Sequence, residues 1–283
     1  MLDEPMSRHT SLKVGGPADI FAIPEDQDDL QGLLEWLAGQ GIFWMAIGRG
    51  YNLLVRDKGI RGAVISLERF NRIERVGELL IRAEGGAENL AVVRFAQALG
   101  LGGIDFISGI PGTVGGAMRM NAGAYGSGIL ERIESLNLLR NGIVSEVPLK
   151  MLDYGYRRLS LAPGDIVLGA LFRLEERDPA ATEAEIQKDL ELRRSKHNVG
   201  HPSAGSFFKN PAGQSSWRLI DAANLRGTRV GGAMVSEVHS NFLVNCGGAT
   251  AQNFFDLSAL VKEAVFSSSG VMLKEEVRIV GEE

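Results

Sequence analysis

Cysteine is nearly absent from this chain of 283 residues: Cys246 stands alone. That excludes an intrachain disulfide and a multi-thiolate metal centre, and it suits a reducing compartment. Histidine is almost as scarce. His9, His197, His201 and His239 show no H-E-x-x-H or related spacing, so no metal is expected, and His239 reads as a structural hydrogen-bonding residue. Long apolar runs are missing too: a stretch such as IFWMAI at 42–47 falls far short of the ~18 residues that a bilayer span requires. The N-terminal MLDEPMSRHT carries acids and no apolar segment of the signal-peptide kind. Thirty basic against 35 acidic residues leave a net charge of −5, which disfavours a nucleic-acid or anionic-membrane surface. The chain also lacks a G-x-G-x-x-G fingerprint, a G-x-x-x-x-G-K-[ST] loop and a G-x-S-x-G elbow, so dinucleotide-binding Rossmann, kinase-type and serine-hydrolase readings lose their main support. The expectation is a soluble, cytoplasmic protein of two or three compact units, in which any anion site is local.

Glycine is what the chain has in excess, 36 residues or about 13% against an ordinary ~7%. The periodic elements between the glycines are legible. Leu30, Leu33, Leu34 and Leu37 predict an amphipathic helix over 26–40, with acids in its first turn and Gly41 after it. IFWMAI predicts a buried strand that runs into GRGYN at 48–52. A strand near 78–87 leads into a helix closed by Gly100, and 131–149 predicts a hairpin over Asn141-Gly142. Further strands are expected at 165–176 and 275–280. Helices are expected at 215–227 and 250–266 with Ser215 and Thr250 as N-caps, and the highly charged 182–198 predicts a polar helix that is the best linker candidate.

Three segments carry residues suited to chemistry. In Gly48-x-Gly50-x-Asn52 the small residues would expose backbone N–H groups to a diphosphate, although a plain tight turn explains the same pattern. The segment 108–126 has six glycines in 19 residues, with Pro111, Thr113, Asn121 and Tyr125 among them. Such a loop is entropically costly to order, which points to a backbone wall around a ligand or to a turn system between sheets. GSFFKNP at 205–211 sets the Ser206 hydroxyl beside Lys209 and Asn210, side chains that suit a phosphate or carboxylate; a turn or cap hydroxyl is the ordinary alternative. On the residues alone Arg157, between aromatics in DYGYRR, reads first as a surface arginine, and Glu276 by default as a solvated strand residue.

Taken together, HTSLKVGGPA, GRGYNLLV, GIPGTVGGAMRMNAGAYG, GYRR, PSAGSFFKNP, GGAMVSEVHSNFLVN and EEVRIVG occur in one order and spacing over residues 9–281. This ordered set resembles the UDP-N-acetylenolpyruvoylglucosamine reductase family, flavoenzymes of peptidoglycan precursor synthesis. The resemblance implies an α+β fold: a two-subdomain FAD-binding module of the vanillyl-alcohol-oxidase type (1–70 joined by 275–283, then 71–198), followed by a C-terminal α+β substrate domain (199–274). It implies that FAD is wrapped by Gly48, Arg49, Gly50, Tyr51 and Asn52, by Gly109, Ile110, Pro111, Gly112, Thr113, Gly115 and Gly116, by Asn121, Ala122, Gly123, Ala124 and Tyr125, and by Arg278. The first loop has no histidine, so the flavin is expected to be noncovalent.

The same resemblance implies NADPH as reductant and UDP-N-acetylglucosamine enolpyruvate as substrate. Ser206 would be the proton donor, Arg157 and Glu276 would lie at the enolpyruvyl group, and Lys209 and Asn210 would hold the nucleotide diphosphate. Three positions depart from the family pattern: Tyr51 stands where Ser is usual, Leu159 where Ser is common, and Met234 where Gln is common. The 48 residues between Arg157 and Ser206 leave no room for an extra substrate loop, which matches the shorter, type II form; a monomer is expected. The rival readings are an oxygen-using flavin oxidase of the same superfamily and a nucleotide-sugar or flavin-binding module without turnover.

Overall fold

The first helix, α1 (Gln27–Gly39), starts where the sequence places it. Asp26 is its N-cap, and the Asp26 carboxylate accepts the Asp29 N–H at 2.9 Å, satisfying one of the orphan donors of the first turn. Leu30 and Leu37 are its buried face. The computed structural model describes residues 1–124 and 127–283; Tyr125, expected at the cofactor, lies outside the described residues. Contacts divide the chain into two units, one of residues 21–49 and 62–192, the other of residues 1–20, 50–61 and 193–283.

The first of these units is built on a five-stranded antiparallel sheet. Its strands run in the order Ile143–Pro148, Ile133–Arg140, Ile166–Arg173, Leu80–Glu84, Ile73–Arg75. The Asn141-Gly142 hairpin forms as the sequence predicts: Arg140 pairs with Ile143, and both loop residues have positive φ (+49° and +77°), the backbone that a two-residue turn between twisted strands demands. One sheet face packs Ile81, Ala83, Leu136, Leu138 and Phe172 against α2 (Asn89–Ala98) and α3 (Val114–Arg119), which contribute Val92, Val93, Ala96, Val114 and Met118. Each of the larger side chains fully buried there is worth ~1.5–3 kcal/mol. The strand Trp44–Ile47 lies parallel to Ala63–Ser66 and delivers the chain to Gly48. The charged helix α4 (Pro179–His197) is more than a linker. Ile186 belongs to this core and Thr182 is buried.

In the second unit a four-stranded antiparallel sheet runs Ser203–Ser206, Phe242–Asn245, Ala233–Val235, Arg229–Val230. Its core takes Ile220 from α5 (Ser216–Ala222) and Phe254, Leu257, Val261 and Val265 from α6 (Ala251–Ser269). Thr250 caps α6 as expected, accepting the Asn253 N–H at 3.2 Å. Two expectations need correction. Ser215 occupies the N-cap position of α5 without a side-chain bond, because the Asn210 carboxamide oxygen takes the Ser216 N–H at 3.0 Å instead. The closing strand covers only Arg278–Val280, parallel to Leu53–Val55, so Glu276 is not in an alternating strand: Glu275 makes an isolated bridge to Phe208, and the Glu276 N–H goes to the Phe207 carbonyl.

Candidate functional site

Gly48, directly after the Trp44–Ile47 strand, lies against Thr113. A Cβ at Gly48 would lie 2.4 Å from Thr113 Oγ1, so two glycine-rich segments 65 positions apart meet at a point where no larger residue fits. The Thr113 side chain is buried and its hydroxyl has no hydrogen-bond partner among the described residues; Ser108 Oγ, in the same glycine segment, is likewise buried without one there. Buried hydroxyls are rarely left unpaired, and these are the donors and acceptors that a phosphate or ribitol hydroxyl would satisfy.

The loop 110–115 is laid along 85–89 by main-chain bonds: Val114 N–H to the Ala87 carbonyl (2.9 Å), Gly115 N–H to Gly85 (2.8 Å) and Asn89 N–H to Gly112 (3.1 Å). Asn89 adds a side-chain bond, Nδ2 to the Ile110 carbonyl at 3.1 Å, and is only 1% exposed. Sequence reasoning missed Asn89; the one available signal was an amide at the start of a helix after Gly85-Gly86. Arg49 pairs with Glu88 at 2.5 Å, both side chains half-exposed. Ile110, Gly112 and Gly115 thus belong to one backbone wall, with Gly109, Pro111 and Gly116 as their neighbours in the chain.

Arg157 is brought to the far end of that wall. Its Nη2 donates to the Gly123 carbonyl at 2.8 Å and its Nη1 to the Asn121 carbonyl at 3.3 Å, with the guanidinium 5.5 Å from the Tyr156 ring centroid. Arg157 and Asn121 both have positive φ, +52° and +41°, in the region that side-chain-bearing residues seldom occupy. Ala122 and the short Gly123–Ala124 strand continue the same turn. The neighbouring Arg158 is anchored to Asp153, and hydrogen bonds from Arg158 and then Ser160 hold the Asp153 carboxyl below its ordinary range. Leu159 is buried in the sheet core, which is where a hydrophobic residue suits the site better than the family's serine.

The other unit holds a second group. Gly50 has φ +63°, and a Cβ there would come 2.0 Å from the His9 carbonyl; Ser11 N–H donates to the Gly50 carbonyl at 3.1 Å. The HTS segment 9–11 therefore buttresses the first glycine loop. Asn52 bridges to the chain terminus: its carbonyl accepts Arg278 N–H (3.0 Å) and its Nδ2 donates to the Glu276 carbonyl (3.0 Å). Glu276 N–H in turn donates to the Phe207 carbonyl at 2.8 Å, so Glu276 is laid beside the residue that follows Ser206. Ser206 closes a strand whose register shifts at Gly205 (φ +74°), a bulge that re-aims the residue after it.

Asn241, buried and unanticipated, clamps the next residue by accepting Phe208 N–H at 3.0 Å and donating to the Phe208 carbonyl at 2.8 Å. Lys209 is fixed through its backbone to Lys274 and Ser216. Asn210 is exposed with its carboxamide oxygen spent on α5, so that atom caps a helix rather than facing a diphosphate. Tyr51 is exposed in the same unit as Arg193, whose guanidinium burial pushes down in pKa while the Tyr51 phenol opposes the shift. Met234 is buried, its sulfur 3.1 Å from Arg229 Nε, so its side chain packs against that guanidinium where the family's glutamine would be. Among the described residues no group of three potential ligands could hold a metal, and no helix is long and apolar enough to cross a membrane.

A family model for an FAD binding domain matches residues 18–142, and one for the C-terminal domain of UDP-N-acetylenolpyruvoylglucosamine reductase matches residues 197–280. The UDP-N-acetylenolpyruvoylglucosamine reductase of Pelobacter propionicus is 73% identical over 283 residues, covering 100% of this chain and 96% of its own. The chain belongs to the UDP-N-acetylenolpyruvoylglucosamine reductase family. The family's enzyme from Geotalea uraniireducens is 54% identical over 99% of this chain and 93% of its own. The crystal structure of UDP-N-acetylenolpyruvylglucosamine reductase (MurB) from Thermus caldophilus superposes with a TM-score of 0.85 at 32% identity, covering 97% of both chains. The α+β architecture of FAD-binding module and C-terminal domain is therefore that of the family. The matched FAD-binding segment contains Gly48 to Asn52 and the whole of 109–126, and the Gly48–Thr113 approach with its unpaired hydroxyls fits a flavin dinucleotide.

Proposed function

We propose that the chain is an NADPH-dependent, FAD-mediated reductase that converts UDP-N-acetylglucosamine enolpyruvate to UDP-N-acetylmuramate in peptidoglycan precursor synthesis. The observation that carries this reading is the 73% identity over the full length to an enzyme of that name. It acts as a cytoplasmic monomer, with its roles divided over 1–70 plus 275–283, 71–198 and 199–274. Gly48 to Asn52, 109–125 and Arg278 hold the flavin noncovalently, through backbone donors and through the Thr113 and Ser108 hydroxyls. When bound, FAD supplies the hydride that NADPH loads and the enolpyruvyl double bond receives.

The chain's own residues then do the rest. Arg157 takes the substrate carboxylate and stabilises the negative charge that grows next to it. Ser206 Oγ donates a proton to the carbon bearing that carboxylate, and Glu276 lies at the enolpyruvyl group. A serine hydroxyl is a weak acid, so its alkoxide needs a neighbouring cation or a proton relay, a role that Lys209 or a water would fill. Lys209 and the Asn210 NH2 group, the part of that side chain not spent on α5, hold the nucleotide diphosphate.

The test is an anaerobic visible spectrum of the FAD-loaded protein, before NADPH, after it, and after UDP-N-acetylglucosamine enolpyruvate. A flavin band that bleaches with NADPH and returns with that substrate is the expected result. Bleaching without recovery would leave flavin chemistry with another acceptor, oxygen included, and no bleaching would end the reductase reading.

A further inference from the structure

Asn121 sits on the turn that receives Arg157, 8% exposed and at φ +41°. Both polar atoms of its carboxamide are engaged inside the protein: Oδ1 accepts Leu130 N–H at 3.2 Å and Nδ2 donates to the Gly155 carbonyl at 3.0 Å. Gly155 is two residues before Arg157, at the end of the short Tyr154–Gly155 strand, and Arg157 lies in the turn that leads from it to the paired Arg158–Leu159 strand. The Asn121 main-chain carbonyl, with that of Gly123, meanwhile accepts from the two terminal nitrogens of Arg157. One residue thus holds Arg157 at both ends, the side chain fixing the strand from which it departs and the backbone fixing its guanidinium.

We infer that Asn121 is a positioning residue that aims Arg157 at the carboxylate of the enolpyruvyl substrate, and that its side chain is not a ligand of the cofactor. The inference rests on the role given to Arg157 above. A guanidinium pairs well with a carboxylate only in one plane and orientation, and the two carbonyl anchors fix the plane in which that of Arg157 is held. Both residues adopt left-handed backbone, a conformation that persists only when the surroundings over-determine it, and the crossed bonds between 121, 123, 155 and 157 supply that constraint. Asparagine is suited to the task because it tolerates positive φ and offers a donor and an acceptor on one short side chain.

Asn121→Asp keeps size, backbone tolerance and the acceptor for Leu130, and turns the donor facing Gly155 into a second acceptor. In this variant the dissociation constant of FAD, read from flavin fluorescence, should stay within about threefold of the parent, while that of UDP-N-acetylglucosamine enolpyruvate, titrated against the oxidised holoenzyme by the flavin absorbance change, should rise roughly tenfold. In an Arg157→Ala background the same substitution should alter substrate binding by less than about twofold, because residues that act as one unit are non-additive. Asn121→Gly, which accepts positive φ and loses both side-chain ties, should repeat the pattern if the aspartate variant folds poorly. An equal loss of FAD affinity, or an undiminished tenfold effect without Arg157, would overturn the assignment. Unchanged substrate binding in Arg157→Ala alone would instead remove Arg157 from the substrate, and the proposal with it.

Discussion

Ser206 shows how the chemistry of one side chain depends on what its backbone is tied to. The bulge at Gly205 and the Asn241 clamp on Phe208 fix the backbone on either side of Ser206. Ser206→Ala should leave flavin reduction by NADPH intact and slow substrate-driven reoxidation by ~10²–10⁴-fold in stopped-flow absorbance, the range lost with a general acid; equal reoxidation rates would remove Ser206 from the mechanism. Gly48 is legible as a glycine but not as a contact. Its approach to Thr113 was hidden because the two are far apart in sequence, and only their 2.4 Å clearance shows why a methyl group fails there. Thr113 is β-branched and stiff, so Gly48→Ala should cost about 1–3 kcal/mol of overpacking, read as a lower denaturation midpoint together with at least tenfold weaker FAD retention.

Helix ends differ in how far their partners lie along the chain. The Thr250 cap of α6 was readable because its partner is three residues away; the second cap, from Asp57, was not. Its carboxylate accepts Ala251 N–H at 2.8 Å and Gln252 N–H at 2.9 Å across some 194 positions. Asp57→Ala should therefore destabilise the protein by ~0.5–2 kcal/mol in urea denaturation, the usual worth of a lost cap, with the midpoint falling and the slope unchanged. Between α2 and α4, Glu183 accepts from Arg94, from Gln187 at 2.7 Å and from Gln97 at 2.7 Å. The Arg94 bond first, then the two glutamines, holds its pKa at about 2 against an ordinary 4.5. A carboxyl depressed on folding stabilises the native state above its unfolded pKa and loses that contribution as pH falls through the native one. The urea midpoint of the parent should thus drop more steeply between pH 5 and 2 than that of Glu183→Gln, and parallel curves would show that the tie adds nothing.

For the whole molecule, the proposal that FAD fills the two glycine segments predicts a ligand-dependent stability. Removing the flavin should lower the melting temperature, and titrating it back to a hundredfold over its dissociation constant should restore ~2.7 kcal/mol, as linkage requires of a ligand bound only by the native state; a melting temperature indifferent to FAD would contradict it. Much at this scale was present in the amino-acid order alone: the leucine spacing of α1, the Asn141-Gly142 hairpin, the cap of α6 and the ordered motifs of the reductase family. These are properties of residues within a few positions of one another, or of a string that can be matched without folding it. Other features came only from tertiary structure: the meeting of Gly48 and Thr113, the Asn52 bond to Glu276 across 224 positions, the burial of Asn89 and Asn241, and the left-handed backbone of Arg157. The same holds for Asn210 capping α5 and for Glu276 leaving the strand. Local preference reaches about one turn of chain, whereas a buried polar atom takes whichever partner the packed core brings to it, and that choice is made only when distant segments close on one another.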